Sequence, residues 1–275
     1  MRIGIYIKNG ALSEDKRFRN LLGTLQAASY ELYDIHARED IRPGTDMVLS
    51  VGGDGTFLSA SKRVADSGIP ILGVNLGRLG FLSEYTPDAV AEALLQGSYT
   101  VEDRTMLYAS LHGKDVREGI GFWPYALNEV TVHRRGVAML GINVSIDGEP
   151  LPTYWADGLL IATSSGSTAY SLSVGGPICM PEAKVLIIAP IAPHNLNVRP
   201  LVVPLTTRIS ISVVSREDTV VVTMDNRTLD MDPSWRLDVS MAQFSLKRVR
   251  LAKSNFVGAL TSKLFWGEDI RNNGQ

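Results

Sequence analysis

The sequence predicts an α/β protein of two domains, and three observations support this fold class. Over residues 1–102, apolar strands alternate with helical segments, a pattern typical of a Rossmann-like parallel sheet with helices on its faces. Over residues 103–253, short β runs separated by turn signals predict a β-rich, sandwich-like domain. The final segment, residues 254–275, begins with an apolar stretch that we expect to pack back on the first domain.

The first domain is expected to form a strand–helix alternation. Its predicted strands are residues 3–7, 47–51 and 70–74, and its predicted helices are residues 16–29, 57–66 and 87–96. The last helix has the clearest start, since Thr86 is an acceptable N-cap and Pro87 suits the first helical position. Ligands of open parallel sheets bind beyond the carboxyl ends of the strands. Two glycine-bearing loops, 52–55 and 75–82, follow strands in this way, so we expect them to face one crevice.

The second domain is expected to be built from short strands. They are residues 107–111, 126–132, 141–146, 153–155, 158–163, 185–188, 208–214, 220–224 and 236–241. Asp147-Gly148 lies between two of these runs and is a strong signal for a hairpin with a type I′ turn.

Composition and charge narrow the class of protein. The 275 residues are 45% hydrophobic and 20% charged, as in a globular protein, and the formal net charge of −2 predicts no nucleic-acid partner. The short basic run 247–250 is expected to be a solvated strand face. No apolar stretch approaches the roughly 20 residues of a membrane span, so no membrane partner is expected. A single cysteine, Cys179, and an amino terminus without a signal-peptide pattern predict a cytoplasmic enzyme.

The most informative stretch follows the strand 47–51 and reads Gly52, Gly53, Asp54, Gly55, Thr56. Glycines let backbone N–H groups approach an anion closely, which suits a phosphate site. A carboxylate beside phosphates is unfavourable unless it holds a cation or removes a proton, so Asp54 indicates phosphoryl transfer. The alternative is a tight turn in which Asp54 caps the next helix.

A second polar constellation lies in the β-rich domain. Residues 157–177 contain a run of Ser and Thr hydroxyls that could bond ribose, phosphate or base atoms, although a Ser-rich turn before a helix near Thr168 explains the composition equally well. Asn128 and Glu129 interrupt an apolar strand, and polar groups are costly to bury unless they bind something. An exposed strand end would also account for this pair.

Together these blocks resemble the NAD kinase family over about residues 48–266. The matching blocks are residues 52–56, residues 73–77 with 79–82, residues 127–129, residues 157–158 through 175–177, and residues 193–194 with 199–201. A GGDG loop by itself also occurs in phosphofructokinases and in diacylglycerol or sphingosine kinases, whereas five blocks in family order are specific. Ser164-Ser165 departs from the Pro-Thr that the family often has, which affects loop stiffness more than chemistry.

The resemblance implies transfer of the γ-phosphoryl group of ATP, or of a phosphoryl group of polyphosphate, to the 2′-hydroxyl of the adenosine ribose of NAD. Asp54 would be the general base, and Gly55 with its neighbouring amides would hold phosphate. A divalent ion, Mg²⁺, would bind through nucleotide oxygens, and no protein metal ligands are expected, since the histidines lack metal-ligand spacing.

The resemblance also implies the residues that contact NAD. Asn128 and Glu129 would bind ribose hydroxyls, and Tyr170 could stack on a ring. The full set of implied nucleotide contacts is Asp54, Gly55, Asn128, Glu129, Asp157, Ser165, Thr168, Ala169, Tyr170, Ser171, Leu172, Ser173, Ala192 and Arg227. The family resemblance further implies a homodimer or homotetramer in which a neighbouring subunit completes the NAD site.

Two other functions are compatible with parts of the pattern. A lipid kinase of the diacylglycerol kinase type shares the two-domain plan and the GGDG loop, but is not expected to carry Asn128-Glu129 and residues 168–173 in this form. A non-catalytic NAD(P)-binding regulator would use the same crevice, although a binder gains little from an acid among phosphates.

Overall fold

The computed structural model describes residues 1–77, 80–114, 116, 123–252 and 254–265. The chain divides into two compact units: unit 1 is Met1–Asp103 with Leu246–Gln275, and unit 2 is Arg104–Ser245. Residues 246–252, which the sequence placed in the β-rich domain, therefore belong to unit 1. Among the described residues, no helix is both long and apolar enough to span a membrane.

Unit 1 begins with an alternation of strands and helices around a parallel sheet. Its elements are β1 (Arg2–Ile7), α1 (Lys16–Ala27), β2 (Glu31–Asp34), β3 (Met47–Val51), α2 (Asp54–Val64), β4 (Ile71–Val74) and α3 (Pro87–Gln96), and β5 (Tyr99–His112) then carries the chain into unit 2. The strands pair in parallel in the order β4-β3-β1-β2. β3 and β4 are buried along their whole length, as expected of strands covered on both faces. The parallel α/β prediction is confirmed.

Two helix starts in unit 1 differ in how well the sequence predicted them. α3 begins at Pro87 as predicted, with the Thr86 hydroxyl accepting a hydrogen bond from the Ala89 N–H. α2 begins at Asp54 rather than at the predicted Phe57. The glycine loop turns directly into the helix, because the carbonyl of Gly53 accepts hydrogen bonds from the backbone N–H groups of Thr56 and Phe57.

Unit 2 is a two-sheet β structure. Its elements are β6 (Tyr125–Ala126), β7 (Glu129–Arg134), β8 (Leu140–Ile146), β9 (Glu149–Pro150), β10 (Tyr154–Ala156), β11 (Gly158–Thr163), α4 (Tyr170–Ser173), β12 (Val185–Ile191), β13 (Leu201–Pro204), β14 (Ile209–Val214), β15 (Val220–Met224), β16 (Arg227–Met231) and the first part of β17 (Arg236–Leu251). One antiparallel sheet has the order β13-β12-β11-β7-β15-β16. In the other, β8 pairs with β10 and β14, and β14 pairs with β17.

The inner faces of these two sheets share one apolar core. Val132, Ile161 and Val222 from the first sheet cluster with Ile142 and Ile211 from the second, and all five side chains are almost fully buried. Burying a side chain of this size stabilises the fold by about 1.5–3 kcal/mol. The sandwich-like prediction is therefore confirmed. The predicted Asp147-Gly148 hairpin is also present, with both turn residues at positive φ (50° and 92°), as a type I′ turn requires.

The end of β17 and a last helix, α5 (Phe256–Leu264), return to unit 1. Arg248 pairs in register with Ile71 of β4. The basic run 247–250 was expected to be solvated, and this is wrong for its central arginine: the Arg248 side chain is only 5% exposed and forms ion pairs with Glu84 and Glu102. Residues 266–275, the rest of the predicted final segment, lie outside the described part of the chain.

Candidate functional site

Asp54 lies at the first position of α2, between two exposed glycines. Gly52 reaches this turn with φ of 142°, and a Cβ there would lie 2.5 Å from the Thr56 hydroxyl oxygen, so only glycine fits. At Gly53 and Gly55, by contrast, a Cβ would meet none of the described atoms within 4 Å. The turn is therefore tight on its inner side and open on the side from which an anion could approach.

The Asp54 carboxylate is held by the second glycine loop. It accepts three hydrogen bonds from consecutive backbone N–H groups: Phe81 at 2.9 Å, Leu82 at 3.0 Å and Ser83 at 2.8 Å. Gly80 packs directly on the carboxylate, since a Cβ at this position would lie 2.0 Å from Asp54 Oδ1. Asp54 therefore does not cap α2, contrary to the alternative interpretation; the N-cap residue is Gly53. Asp54 instead joins the two glycine loops, which the sequence predicted to face one crevice. Arg78 and Leu79 of the second loop lie outside the described residues.

In unit 2, Asn128 and Glu129 are both buried at the start of β7. Their backbone is fixed by Asp225, whose carboxylate accepts hydrogen bonds from the N–H groups of Leu127 (2.9 Å), Asn128 (2.8 Å) and Glu129 (3.2 Å). An exposed strand end, the alternative explanation for this polar pair, is therefore wrong. Asp225 was not predicted as a site residue. Its one sequence signal is the polar turn that it forms with Asn226 between two β-rich runs.

The electrostatics around Glu129 are unusual. Burial, together with the nearby Asp225 carboxylate, raises the pKa of Glu129 to about 8, although the Tyr170 backbone N–H donates a hydrogen bond to it. Burial also raises the pKa of Asp225, against the effect of its three backbone donors and of Arg227. Among the described residues, Glu129 Oε2 has no hydrogen-bond partner. A buried carboxyl oxygen of this kind is suited to bind a polar group of a ligand.

The Ser-rich segment packs directly on Asn128. Thr163, the last residue of β11, donates hydrogen bonds to the carbonyls of Leu127 and Asn128. A short 3-10 turn (Ser165–Thr168) follows, and Gly166 lies so close that a Cβ would be 2.1 Å from the Asn128 carbonyl oxygen. The segment therefore forms helical turns, as the alternative reading expected, and still covers the candidate binding pair.

The hydroxyls of this segment divide into two groups. Ser164, Ser167 and Thr168 donate to backbone carbonyls and stabilise the turns. Ser165 Oγ and Ser171 Oγ are buried, and neither has a hydrogen-bond partner within the described part of the chain. Together with Glu129 Oε2, they are the polar atoms of this region that suit a ligand with several hydroxyl or amide groups.

Two further predicted residues already have partners in unit 2. Asp157 forms a bidentate ion pair with Arg134, at 2.7 and 3.2 Å. The Tyr170 ring stacks on His133, with centroids 5.9 Å apart and an interplanar angle of 19°. Burial lowers the pKa of His133, and the neighbouring Asp157 opposes this shift. His133 and Arg134 lie on β7 with Glu129, and neither was predicted as a site residue.

The remaining predicted residues differ in their surroundings. Ala169 joins the 3-10 turn to α4, on which Leu172 is half-buried and Ser173 exposed. Ala192 follows β12 with φ of 47°, next to the Ile191 carbonyl that accepts a hydrogen bond from the Asp157 N–H. Arg227 donates to the carbonyls of Trp123 and Tyr125 and lies 4.9 Å from the Trp123 ring. Its guanidinium thus supports the backbone that leads to Asn128.

No metal centre of protein side chains is evident: within the described ranges, no three His, Cys, Asp or Glu side chains lie together as a metal site would require. What the two units do carry is an acid held between glycine loops beyond a parallel sheet, and buried polar groups around a Ser-rich turn. These features define a nucleotide-binding phosphotransferase.

Comparison with known proteins identifies the family within this class. Residues 8–99 match the family model of the ATP-NAD kinase N-terminal domain, and residues 127–251 match that of the ATP-NAD kinase C-terminal domain. The chain therefore belongs to the NAD kinase family. This membership decides against the lipid-kinase alternative.

Curated relatives and solved structures agree. An NAD kinase of Flavobacterium psychrophilum is 43% identical over 250 residues, covering 90% of this chain and 84% of the relative, and one of Bacteroides fragilis is 45% identical over 230 residues, covering 82% and 78%. A yeast NADH kinase solved with NADH superposes with a TM-score of 0.87 at 25% identity, covering 99% of this chain and 89% of that one. An NAD kinase of Archaeoglobus fulgidus solved with ATP has a TM-score of 0.78 at 25% identity, covering 95% and 99%.

Proposed function

We infer that this chain phosphorylates the 2′-hydroxyl of the adenosine ribose of NAD, with ATP as donor, and so produces NADP. The kinase activity follows from family membership over both units. The choice of ATP is supported by the Archaeoglobus fulgidus structure, which contains ATP. Polyphosphate is the alternative donor, and NADP formation with each donor in turn distinguishes them.

The proposed general base is Asp54. The observation that supports it is the position of its carboxylate, which three N–H groups fix in one orientation at the open turn between Gly53 and Gly55. Oδ1 accepts two of these hydrogen bonds and Oδ2 accepts one, so Oδ2 keeps a lone pair that can take a proton from a hydroxyl without the carboxylate leaving the loop. A general base placed in this way contributes about 10²- to 10⁴-fold to the rate.

The proposed NAD site lies in unit 2. Glu129, Ser165 and Ser171 are proposed to bind NAD hydroxyl or amide groups through the buried oxygens that have no described partner. Asn128 lies beside them, and the exposed edge of Tyr170 is proposed to border a ring of the nucleotide.

The other proposed contacts rest on the family resemblance. They are Gly55, Asp157, Thr168, Ala169, Leu172, Ser173, Ala192 and Arg227. Asp157 and Arg227 would act while keeping the partners described above.

The proposed cofactor is Mg²⁺, held through phosphate oxygens of the donor, as is common for this ion. When bound, it would neutralise charge that develops on the transferred phosphoryl group. The setting that we propose is NADP biosynthesis in the cytoplasm by a homodimer or homotetramer, and light scattering of the purified chain tests the subunit number.

The experiment that tests the base measures NADP formation from NAD, ATP and Mg²⁺ with an NADP-specific coupled dehydrogenase. Asp54→Asn is expected to lower kcat by about 10²- to 10⁴-fold and to leave the KM for NAD within about twofold, because most of the proposed NAD contacts lie in unit 2. The matched control is Asp66→Asn, which replaces an exposed acid of unit 1 that pairs with Arg38. This variant should keep full activity.

Asparagine keeps an acceptor oxygen for two of the loop N–H groups but turns an NH₂ group toward the third. A melting curve and an NAD-binding measurement on Asp54→Asn therefore accompany the kinetics. A folded variant that binds NAD and turns over at the parent rate would show that Asp54 is not the base.

A further inference from the structure

The C-terminal helix α5 covers the loop that holds Asp54. Phe256 and Lys263 are seven residues apart, which places them on the same face of the helix. Both contact the ring of Phe81: the Phe256 ring centroid lies 6.3 Å away, and Lys263 Nζ lies 4.9 Å from the centroid of Phe81. All of these residues belong to unit 1. Helix α5 is therefore packed on the glycine loop.

The ammonium group of Lys263 is buried and paired. Its side chain is 9% exposed, and Nζ donates a hydrogen bond to the Gly80 carbonyl and lies 3.2 Å from Glu84 Oε2. A charge in such a place is costly unless it is paired and hydrogen-bonded. The carboxylate of Glu84 is available for this pairing, because Arg248 and Lys263 hold its pKa below the usual value despite the opposing effect of burial.

One peptide group connects Lys263 to Asp54. The carbonyl of the Gly80–Phe81 peptide accepts from Lys263 Nζ, and the N–H of the same peptide donates to Asp54 Oδ2 at 2.9 Å. A cation on the carbonyl polarises the peptide and strengthens its N–H as a donor. The next two N–H groups, of Leu82 and Ser83, complete the hold on the carboxylate.

We propose that Lys263 is a positioning residue for Asp54, which fixes the catalytic carboxylate through the Gly80–Phe81 peptide. This inference rests on the proposed role of Asp54 as the base. Lys263 does not itself need to contact either substrate. Its function is to keep the loop, and with it the carboxylate, in the orientation that meets the hydroxyl, since a displacement of about 1 Å can cost 10²-fold in rate.

The first test replaces the charge and keeps the aliphatic stem. Lys263→Met is expected to lower kcat by about ten- to hundredfold with the KM for NAD within about twofold. Lys263→Arg keeps a cation that can donate to the Gly80 carbonyl and should retain at least about a third of the parent kcat. Lys247→Met is the matched control in unit 1, because its ion pair with Asp103 is largely exposed, and it should leave kcat unchanged.

The second test separates positioning from stability. Removal of Lys263 leaves Glu84 with one cation fewer, which by itself could loosen unit 1. Glu84→Gln weakens unit 1 by another route, because it removes a carboxylate from both Lys263 and the buried Arg248 while the Lys263 ammonium can still donate to the Gly80 carbonyl. If Lys263 positions Asp54, Glu84→Gln lowers the melting temperature at least as much as Lys263→Met does but keeps most of the parent kcat. If kcat of Glu84→Gln falls as far as that of Lys263→Met, the loss of activity follows stability and the positioning role is wrong.

Parallel measurement of Asp54→Asn distinguishes this inference from the proposed function. An inactive Asp54→Asn beside a fully active Lys263→Met overturns the role of Lys263 and leaves the base in place. A fully active Asp54→Asn overturns the base and the inference that rests on it. Low kcat in Lys263→Met, recovery in Lys263→Arg and an unaffected Lys247→Met support the inference.

Discussion

At the level of single residues, two aspartates of this chain make the same set of hydrogen bonds. Asp54 accepts hydrogen bonds from the N–H groups of residues 81–83, and Asp225 accepts from those of residues 127–129. In each case a carboxylate fixes three consecutive peptides of a segment far away in sequence. In the first case the aspartate is itself the proposed base, and in the second the fixed segment carries the proposed NAD contacts Asn128 and Glu129. Each half of the proposed chemistry therefore depends on hydrogen bonds between an aspartate and three backbone N–H groups.

The buried Glu129 makes stability depend on pH in a direction that can be tested. Its pKa in the folded protein is about 8, against 4.5 for an ordinary glutamate. Between these values the unfolded chain ionises while the folded chain retains the proton, so the folded state loses stability as pH rises through this window. Gln carries no titrating proton and keeps an oxygen that can accept from the Tyr170 N–H.

We therefore expect Glu129→Gln to raise the melting temperature of the protein without nucleotide by at least about 4 °C more at pH 8 than at pH 5. Differential scanning calorimetry at the two pH values measures this. The control is Glu149→Gln, which replaces an exposed glutamate of β9. It should change the melting temperature by the same amount at both pH values. A Glu129→Gln effect independent of pH would mean that Glu129 is ionised in the folded protein.

At the level of elements, the contact between the two glycine loops leaves no room for a side chain at Gly80. A Cβ there would lie 2.0 Å from Asp54 Oδ1, and the carboxylate is also tied to the neighbouring backbone. Gly80→Ala must therefore displace either the loop or Asp54. We expect kcat to fall by about 10²-fold or more while the KM for NAD stays within about twofold.

Gly77→Ala in the same loop is the matched control, because a Cβ there would meet no described atom within 4 Å. It should keep at least about half of the parent kcat in the same NADP-forming assay. Equal losses in the two variants would indicate that the loop needs glycine for flexibility rather than for its approach to Asp54.

The sequence predicted those elements that local signals define. The bounds of β3, α3 and β11 match the predictions, because each has a continuous apolar run or a clear cap. β2, β13 and β16 were not predicted, and β17 runs to Leu251 rather than ending at 241. β2, β13 and β16 have only four or five residues, several of them exposed, whereas the end of β17 pairs with β4, which is far away in sequence.

The candidate site shows the same division. The GGDG loop and the Asn128-Glu129 pair are visible in the sequence, because glycines cluster in one and polar groups interrupt an apolar run in the other. Asp225 and Lys263 were missed, since each acts on a segment 96 or more residues away. No local pattern of residue types reveals such a contact.

At the level of the whole molecule, unit 1 is assembled from two segments at opposite ends of the chain, Met1–Asp103 and Leu246–Gln275. Arg248, on the part of β17 that belongs to the second segment, connects the two segments through ion pairs with Glu84 at 2.6 Å and Glu102 at 3.0 Å. Because these two carboxylates belong to the first segment, unit 1 cannot reach its full set of ion pairs until the last part of the chain has been made.

Arg248→Met tests how much this connection contributes. Removing one partner of a buried ion pair leaves uncompensated charge, and we expect the free energy of unfolding of unit 1 to fall by about 3–5 kcal/mol. Arg250→Met is the control: Arg250 is 41% exposed and lies 3.7 Å from Glu102, so its loss should cost less than about 1 kcal/mol.

Circular dichroism at 222 nm during urea unfolding reports mainly on unit 1, because the described helices of nine or more residues, α1, α2, α3 and α5, all belong to it. The transition of Arg248→Met should therefore move to lower urea, whereas that of Arg250→Met should stay close to the parent midpoint. Equal shifts in the two variants would mean that the returning strand is held by backbone pairing and apolar contacts, and that the buried arginine adds no more than an exposed one.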